Sequence, residues 1–122
     1  MKKLTKREEE IMNYLWDKGA SFVKEIQDSF PDPKPHYNTV STIVRNLEEK
    51  GCIDHESFGN TYRYFAAISK DDYGSIAIKN NVKNYFNNSY KKVVSMFIEE
   101  NGLDIEEIKD MIEEIKKGRE NE

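Results

Sequence analysis

All three prolines of this 122-residue chain fall within five positions, Pro31-Asp32-Pro33-Lys34-Pro35. Prolines at that density forbid helix and force an extended connection, because each fixes φ, lacks an N–H and restricts the residue before it. Helices must therefore stop before Pro31 and restart only after Pro35. On the near side, Thr5 and Glu8 form a T-x-x-E capping box, so the first helix is expected to begin at Thr5. Ile11, Met12, Leu15 and Trp16 supply its buried face, and Gly19 can supply a left-handed residue that ends it. Ser21 can cap a shorter second helix with Val23, Ile26 and Phe30 facing inward. On the far side, Val40, Ile43, Val44 and Leu47 recur at i, i+3, i+4 and i+7, which predicts a third helix from about Tyr37 to Lys50, stopped by Gly51.

The period then changes. In CIDHESFGNTYRYFAAI, residues 52–68, Ile53 to Glu56 and Thr61 to Ala66 are β-prone, and Ser57-Phe58-Gly59-Asn60 between them has the composition of a hairpin turn. From Ser69 helical spacing returns. Ser69 with Asp72 is a second capping pattern, and Ile78, Val82, Tyr85 and Phe86 form one stripe. After the Asn87-Asn88-Ser89 break, Tyr90, Val93, Val94, Phe97 and Ile98 form another, stopped by Asn101-Gly102. Asp104 with Glu107 caps a last helix, whose stripe is Ile108, Met111, Ile112 and Ile115. Three such stripes in about fifty residues cannot all be buried within one copy, so pairing with an identical subunit is expected. The expected fold is mainly α with a small β-hairpin wing: a winged helix-turn-helix domain over residues 1–69, then a helical dimerisation domain over residues 70–122.

Composition sets the remaining bounds. No apolar run approaches the roughly 20 residues that span a bilayer, so no membrane partner is expected. The opening MKKLTKREEE starts like an export signal but carries acids where an apolar region belongs. Cys52 is the sole cysteine, which rules out an internal disulfide and makes the cytoplasm the expected compartment. Net charge is −4, and it is unevenly placed: residues 1–70 carry eleven Lys and Arg against eleven Asp and Glu, residues 71–122 eight against twelve. A basic surface in the first half must come from local arrangement, since there is no excess of charge to supply it.

The outward face of the third helix carries Asn38, Ser41, Thr42 and Arg45, flanked by Thr39 and Asn46. A helix that enters the major groove needs short side chains able to donate or accept towards base edges, and an arginine can bond a guanine bidentately or clamp a phosphate. Asn60, Tyr62 and Arg63 of the hairpin stand where a wing touches sugar and phosphate. Double-stranded DNA is therefore the expected partner. Elsewhere the chemistry is sparse. His36, His55 and Cys52 lack zinc-site spacing, so no metal is expected; His36 reads as a phosphate contact or an exposed cap, and His55 as structural. Cys52 reads as a small buried thiol and Glu48-Glu49-Lys50 as a solvated helix end. No nucleophile elbow, phosphate loop or cofactor motif occurs, so an enzyme is not expected, nor any cofactor.

Three stretches resemble the penicillinase-repressor (BlaI/MecI-type) family of winged-helix regulators. LTKREEEIMNYLW, residues 4–16, is similar to its opening pattern; YNTVSTIVRNLEEKG, residues 37–51, to its recognition helix with paired threonines; and LDIEEIKDMIEEIKK, residues 103–117, to its last dimerisation helix. The resemblance implies a homodimeric repressor on an inverted-repeat operator. Thr39 and Thr42 match the paired threonines, and Asn38 and Ser41 hold the variable base-facing positions. Asn46 stands where the family usually has arginine, with Arg45 one residue earlier. Family members under β-lactam sensing are released by cleavage between an Asn and a Phe by an upstream protease. The matching pair here is Met96-Phe97, which lacks the asparagine and makes that switch doubtful. The copper-responsive branch needs a cysteine cluster, and Cys52 alone cannot supply one.

Two other readings are compatible with the sequence. The zero net charge of residues 1–70 suits a winged-helix adaptor that binds proteins. Tyr73, Tyr85, Phe86 and Tyr90 could line a small-molecule pocket between the domains, although aromatics at helical spacing are usually core.

Overall fold

The computed structural model describes residues 3–120. Six helices and one hairpin follow in the order α1 (Lys6–Lys18), α2 (Val23–Asp28), α3 (Tyr37–Glu49), β1 (Ile53–Phe58), β2 (Thr61–Ala66), α4 (Lys70–Tyr85), α5 (Tyr90–Asn101) and α6 (Ile105–Glu120). Three helices followed by an antiparallel hairpin make a winged helix-turn-helix unit, and the fold is mainly α as the periodicities required.

Local chemistry fixes most boundaries. The Thr5 hydroxyl accepts from the Glu8 N–H at 3.2 Å while the Glu8 carboxylate accepts from the Thr5 N–H at 2.8 Å, the reciprocal bond pair that starts α1. Gly19 ends α1 at φ 83 and ψ −164, a positive φ outside the left-handed helical well expected of it. Ser69 and Ser89 accept from the N–H groups of Asp72 and Lys92 at 3.0 and 3.2 Å, and Asp104 accepts from Glu106 at 3.0 Å. Between α4 and α5, Asn87 and Asn88 both take left-handed backbone, at φ 54 and 62. Gly102 closes α5 in the left-handed region, where the Leu103 N–H returns to the Phe97 carbonyl at 3.1 Å.

Two further expectations need correction. Ser21 does not cap α2: its backbone N–H and carbonyl both pair with Tyr64 at 2.8 Å, which extends the hairpin by a short bridge. Phe22 occupies the cap position instead, with its N–H donating to the Glu25 carboxylate at 2.9 Å. The hairpin turn is also shorter than expected. Phe58 belongs to β1 and pairs with Thr61, leaving only Gly59-Asn60 at the tip. Gly59 has φ 63 in the first central position, the positive value that a II′-type two-residue turn demands there. Phe58 is held in the strand edge-on against Phe22, with centroids 5.5 Å apart.

The chain divides into two compact units, Met1–Ala77 and Ile78–Glu122, with α4 running from one into the other. In the first, Ile11, Met12 and Leu15 of α1, Val23 and Ile26 of α2, and Val40, Val44 and Leu47 of α3 close over Cys52, Ile53 and Tyr64. Trp16 is half-buried at the edge of this core; its indole packs on Tyr73 at 5.7 Å and donates to the Ile68 carbonyl at 2.9 Å. The second unit is different. Among its described residues Val82 is the one buried hydrophobic, while Tyr85, Ile115, Tyr90 and Ile105 are each more than half exposed. No helix among the described residues is long and apolar enough to cross a membrane.

Candidate nucleic-acid interface

α3 turns Val40, Val44 and Leu47 fully into the core, and this fixes what it turns out. Asn38, Thr39, Thr42, Arg45 and Asn46 are exposed, and Ser41 is half-buried. The Thr42 hydroxyl donates back to the Asn38 carbonyl at 2.9 Å and receives a long contact of 3.4 Å from the Arg45 guanidinium. Arg45 therefore lies along the outer surface of α3 with no carboxylate partner among the described residues.

The hairpin tip comes alongside. Asn38, Ser41 and Arg45 share one groove with Asn60 and Tyr62, and Val23 and Tyr64 form part of its lining. Not every expected residue joins them. Asn46 lines a second groove on the opposite flank of α3, together with Thr5, Arg7 and Lys50. Thr39, seven residues before Asn46, shares that flank by helical spacing. Strand alternation puts Tyr62 and Tyr64 with His55 on one face of the hairpin and Arg63 with Glu56 and Phe58 on the other. There the Arg63 Nε donates to Glu56 at 2.7 Å, and the guanidinium lies 5.3 Å above the Phe58 ring.

Two side-chain contacts tie α3 to its neighbours. Lys50, just past its end, donates to the Glu8 carboxylate at 2.6 Å, with the Glu8 side chain 5% and that of Lys50 23% exposed. Burial pushes the Glu8 carboxyl up, but the hydrogen bonds from Lys50 and the Thr5 backbone, with the Lys50 charge, outweigh this and hold it below its ordinary value. Glu48 meets His55 of β1 at 2.5 Å, and the imidazole stacks 4.3 Å from Tyr62. The expectation that Glu48-Glu49-Lys50 is a solvated helix end is therefore corrected: Glu48 and Lys50 are half-buried and paired, and only Glu49 is solvated. Their partners lie in other elements, so nothing within the run itself signals the role. His36 is an exposed N-cap residue without a side-chain capping bond. Cys52 is fully buried, and burial followed by the Glu8 charge pushes its thiol up, away from reactivity.

The other expected sites lie in the second unit. Tyr85, Tyr90, Val94, Phe97, Met111, Ile112 and Ile115 are exposed, while Phe86, Val93, Ile98 and Ile108 are half-buried. Met96 and Phe97 lie in the middle of α5, within continuous helix. Of the aromatic residues considered for a ligand pocket, Tyr73 is packed against the first unit's core.

Comparison with known proteins is decisive for class. The Penicillinase repressor family model matches residues 4–117. The chain belongs to the penicillinase repressor family. Similar relatives include the methicillin resistance regulatory protein MecI of Staphylococcus aureus (strain N315), 25% identical over 112 residues that cover 88% of this chain and 89% of MecI. The penicillinase repressor of Bacillus licheniformis is 26% identical over 107 residues, covering 84% of this chain and 80% of its own. Among solved structures, MepR, a transcription regulator of the Staphylococcus aureus multidrug efflux pump MepA, aligns with 97% of this chain and 79% of its own at 18% identity and a TM-score of 0.46. Family members are DNA-binding transcriptional repressors and not enzymes, which makes this chain a transcriptional regulator. Within the family's terms, Glu8 of the opening motif and Lys50 of the recognition-helix motif are partners in one ion pair.

Proposed function

We propose that the chain is a homodimeric repressor that binds an inverted-repeat operator, with α3 in the major groove and the hairpin against the flanking backbone. The observation that carries this reading is the shared groove of Asn38, Ser41 and Arg45 with Asn60 and Tyr62. It sets short donors and acceptors and one unpaired guanidinium beside a two-residue hairpin tip, the combination that base edges and adjoining phosphates require. Arg45 is the base or phosphate contact, and Tyr62 and Asn60 take the wing contacts. Thr39, Thr42 and Asn46 flank them, and Arg63 is a backbone contact available only at the cost of its pairing with Glu56.

Residues 70–122 serve as the dimerisation domain. The exposure of Phe97 (41%), Ile112 (46%) and Ile115 (57%) on α5 and α6 supports this, because apolar rows of that kind need a partner and a second copy offers matching rows. Two recognition helices would then stand about one helical turn, roughly 34 Å, apart. Cleavage at Met96-Phe97 is not part of the reading, since a protease would first have to unwind α5 around that bond.

Fluorescence anisotropy with a random-sequence duplex at several salt concentrations tests the reading. The logarithm of affinity should fall linearly with the logarithm of salt, as phosphate neutralisation dictates. Absence of any DNA affinity at low salt would point to the adaptor, which the balanced charge of residues 1–70 also suits.

A further inference from the structure

The junction between α3 and β1 carries a set of side chains that the DNA reading leaves without a role, although one pair of them ties α3 to β1. Glu48 near the end of α3, and Asp54 and His55 in β1, bring two carboxylates and an imidazole nitrogen within 4.8 Å of one another. The Glu48 Oε2 and the His55 Nδ1 are 2.5 Å apart, and the Asp54 Oδ1 accepts from the His55 N–H at 2.7 Å. We propose that Glu48, Asp54 and His55 form a binding site for a first-row divalent cation, with Zn2+ preferred.

Three observations carry this. The donor set is mixed: one imidazole nitrogen with two carboxylates suits Zn2+ and its neighbours and is unlike the all-oxygen shells of Mg2+ and Ca2+. The charge is unbalanced: among the described residues no lysine or arginine pairs with Glu48 or Asp54, and Arg45, one turn before Glu48, makes its contact with Thr42. The site is sheltered on one side: Glu48 and His55 are half-buried while Asp54 faces solvent, and the imidazole is flanked by Tyr62 at 4.3 Å and Tyr64 at 5.6 Å. These rings limit rotation of the imidazole and keep Nδ1 turned towards Glu48.

The required rearrangement is small. Donors bound at 2.0–2.2 Å in a tetrahedral site stand roughly 3.4 Å apart, so the Glu48–His55 contact opens by about 1 Å to admit the ion. Asp54 reaches the third position by releasing its bond to the His55 N–H, and water completes the tetrahedron. Because the ligands come from both α3 and β1, a bound ion would staple the hairpin to the helix beside it. The site stands independently of the DNA reading and is tested without DNA.

Isothermal titration of the untagged, chelator-treated full chain with ZnCl2 tests the proposal, with thermal melts alongside. The expected result is one Zn2+ per chain and a rise in Tm of at least about 4 °C at saturation. The variants H55Q and D54N should fold as the parent does by circular dichroism, and each should lose the Tm rise and at least about tenfold in affinity. No heat and no Tm shift with Zn2+ would overturn the site. A shift that survives in both variants would place the ion elsewhere and overturn it too, and equal binding of MgCl2 would contradict the nitrogen-containing donor set.

Discussion

Lys50 and Glu8 lie 42 residues apart in sequence and 2.6 Å apart in the fold, a lysine ammonium against a carboxylate that is almost fully buried. One stands in the capping box that starts α1, and the other immediately follows α3. The pair therefore sets how the outward-facing helix is seated on the domain. Removing the lysine leaves a buried negative charge whose remaining bonds come from Thr5. K50M should cost about 2–3 kcal/mol of stability, somewhat below the range for a fully buried pair because Lys50 keeps some solvent. Urea unfolding of the two proteins at pH 7 measures the difference; an unchanged midpoint would show that the pair contributes nothing.

The same pair predicts a pH dependence. Glu8 titrates lower in the folded chain than its ordinary 4.5, so its contribution to stability is fully present above that value. It is lost as pH falls through the lower folded value. The gap between the parent and K50M should therefore shrink steadily in melts run from pH 5 down to pH 3, and a gap that stays constant over that range would contradict the assignment.

Trp16 supports the opposite edge of the core. Its indole N–H is bonded to the Ile68 carbonyl, 52 residues away, which fastens the chain just before α4 to α1. W16F keeps most of the ring packing on Tyr73 but deletes the donor, so it should lower stability by about 1 kcal/mol. Thermal melts resolve this as a fall in Tm of several degrees.

The expected helices, and the hairpin's place, were readable because their signals are local. T-x-x-E at Thr5, the serines at 69 and 89, the paired asparagines and Gly102 each act within six residues, and the apolar spacing in α3 names its inward side directly. What escaped depends on distant partners. Ser21 has the chemistry of a cap, yet Tyr64 takes its backbone into a bridge. Phe58 has turn-like neighbours, yet Phe22 and Thr61 hold it in β1. For the candidate interface, helical spacing identified the outward row of α3, but only the hairpin register separates Tyr62, which faces α3, from Arg63, which faces Glu56. The roles of Glu48 and Lys50 were hidden for the same reason.

That register separates two arginines experimentally. On the proposed reading, R45A removes an unpaired guanidinium from the groove and should weaken specific DNA binding by about 1–3 kcal/mol. R63A removes one that Glu56 already engages in an exposed pair, so its effect should stay below about 1 kcal/mol. Anisotropy titrations of both variants at one salt concentration decide the order; a larger loss for R63A would put the wrong face of the hairpin against DNA.

For the second unit, F97E places a charge in the row proposed to meet another copy, where it would be buried without a partner. Sedimentation velocity should show the parent as a dimer and F97E as a monomer at the same micromolar concentration, with helical circular dichroism retained. A variant that still sediments as a dimer would move the interface away from α5.

On the proposed reading, α3 and the hairpin together read a two-fold DNA site. The most direct test is to incubate the purified protein with fragmented genomic DNA of its host and sequence the fragments that remain bound. The expected result is enrichment of an inverted repeat whose half-site centres are one helical turn, roughly 34 Å, apart or a multiple of it, and loss of that enrichment in R45A. Recovery of random fragments, or of none, would contradict it.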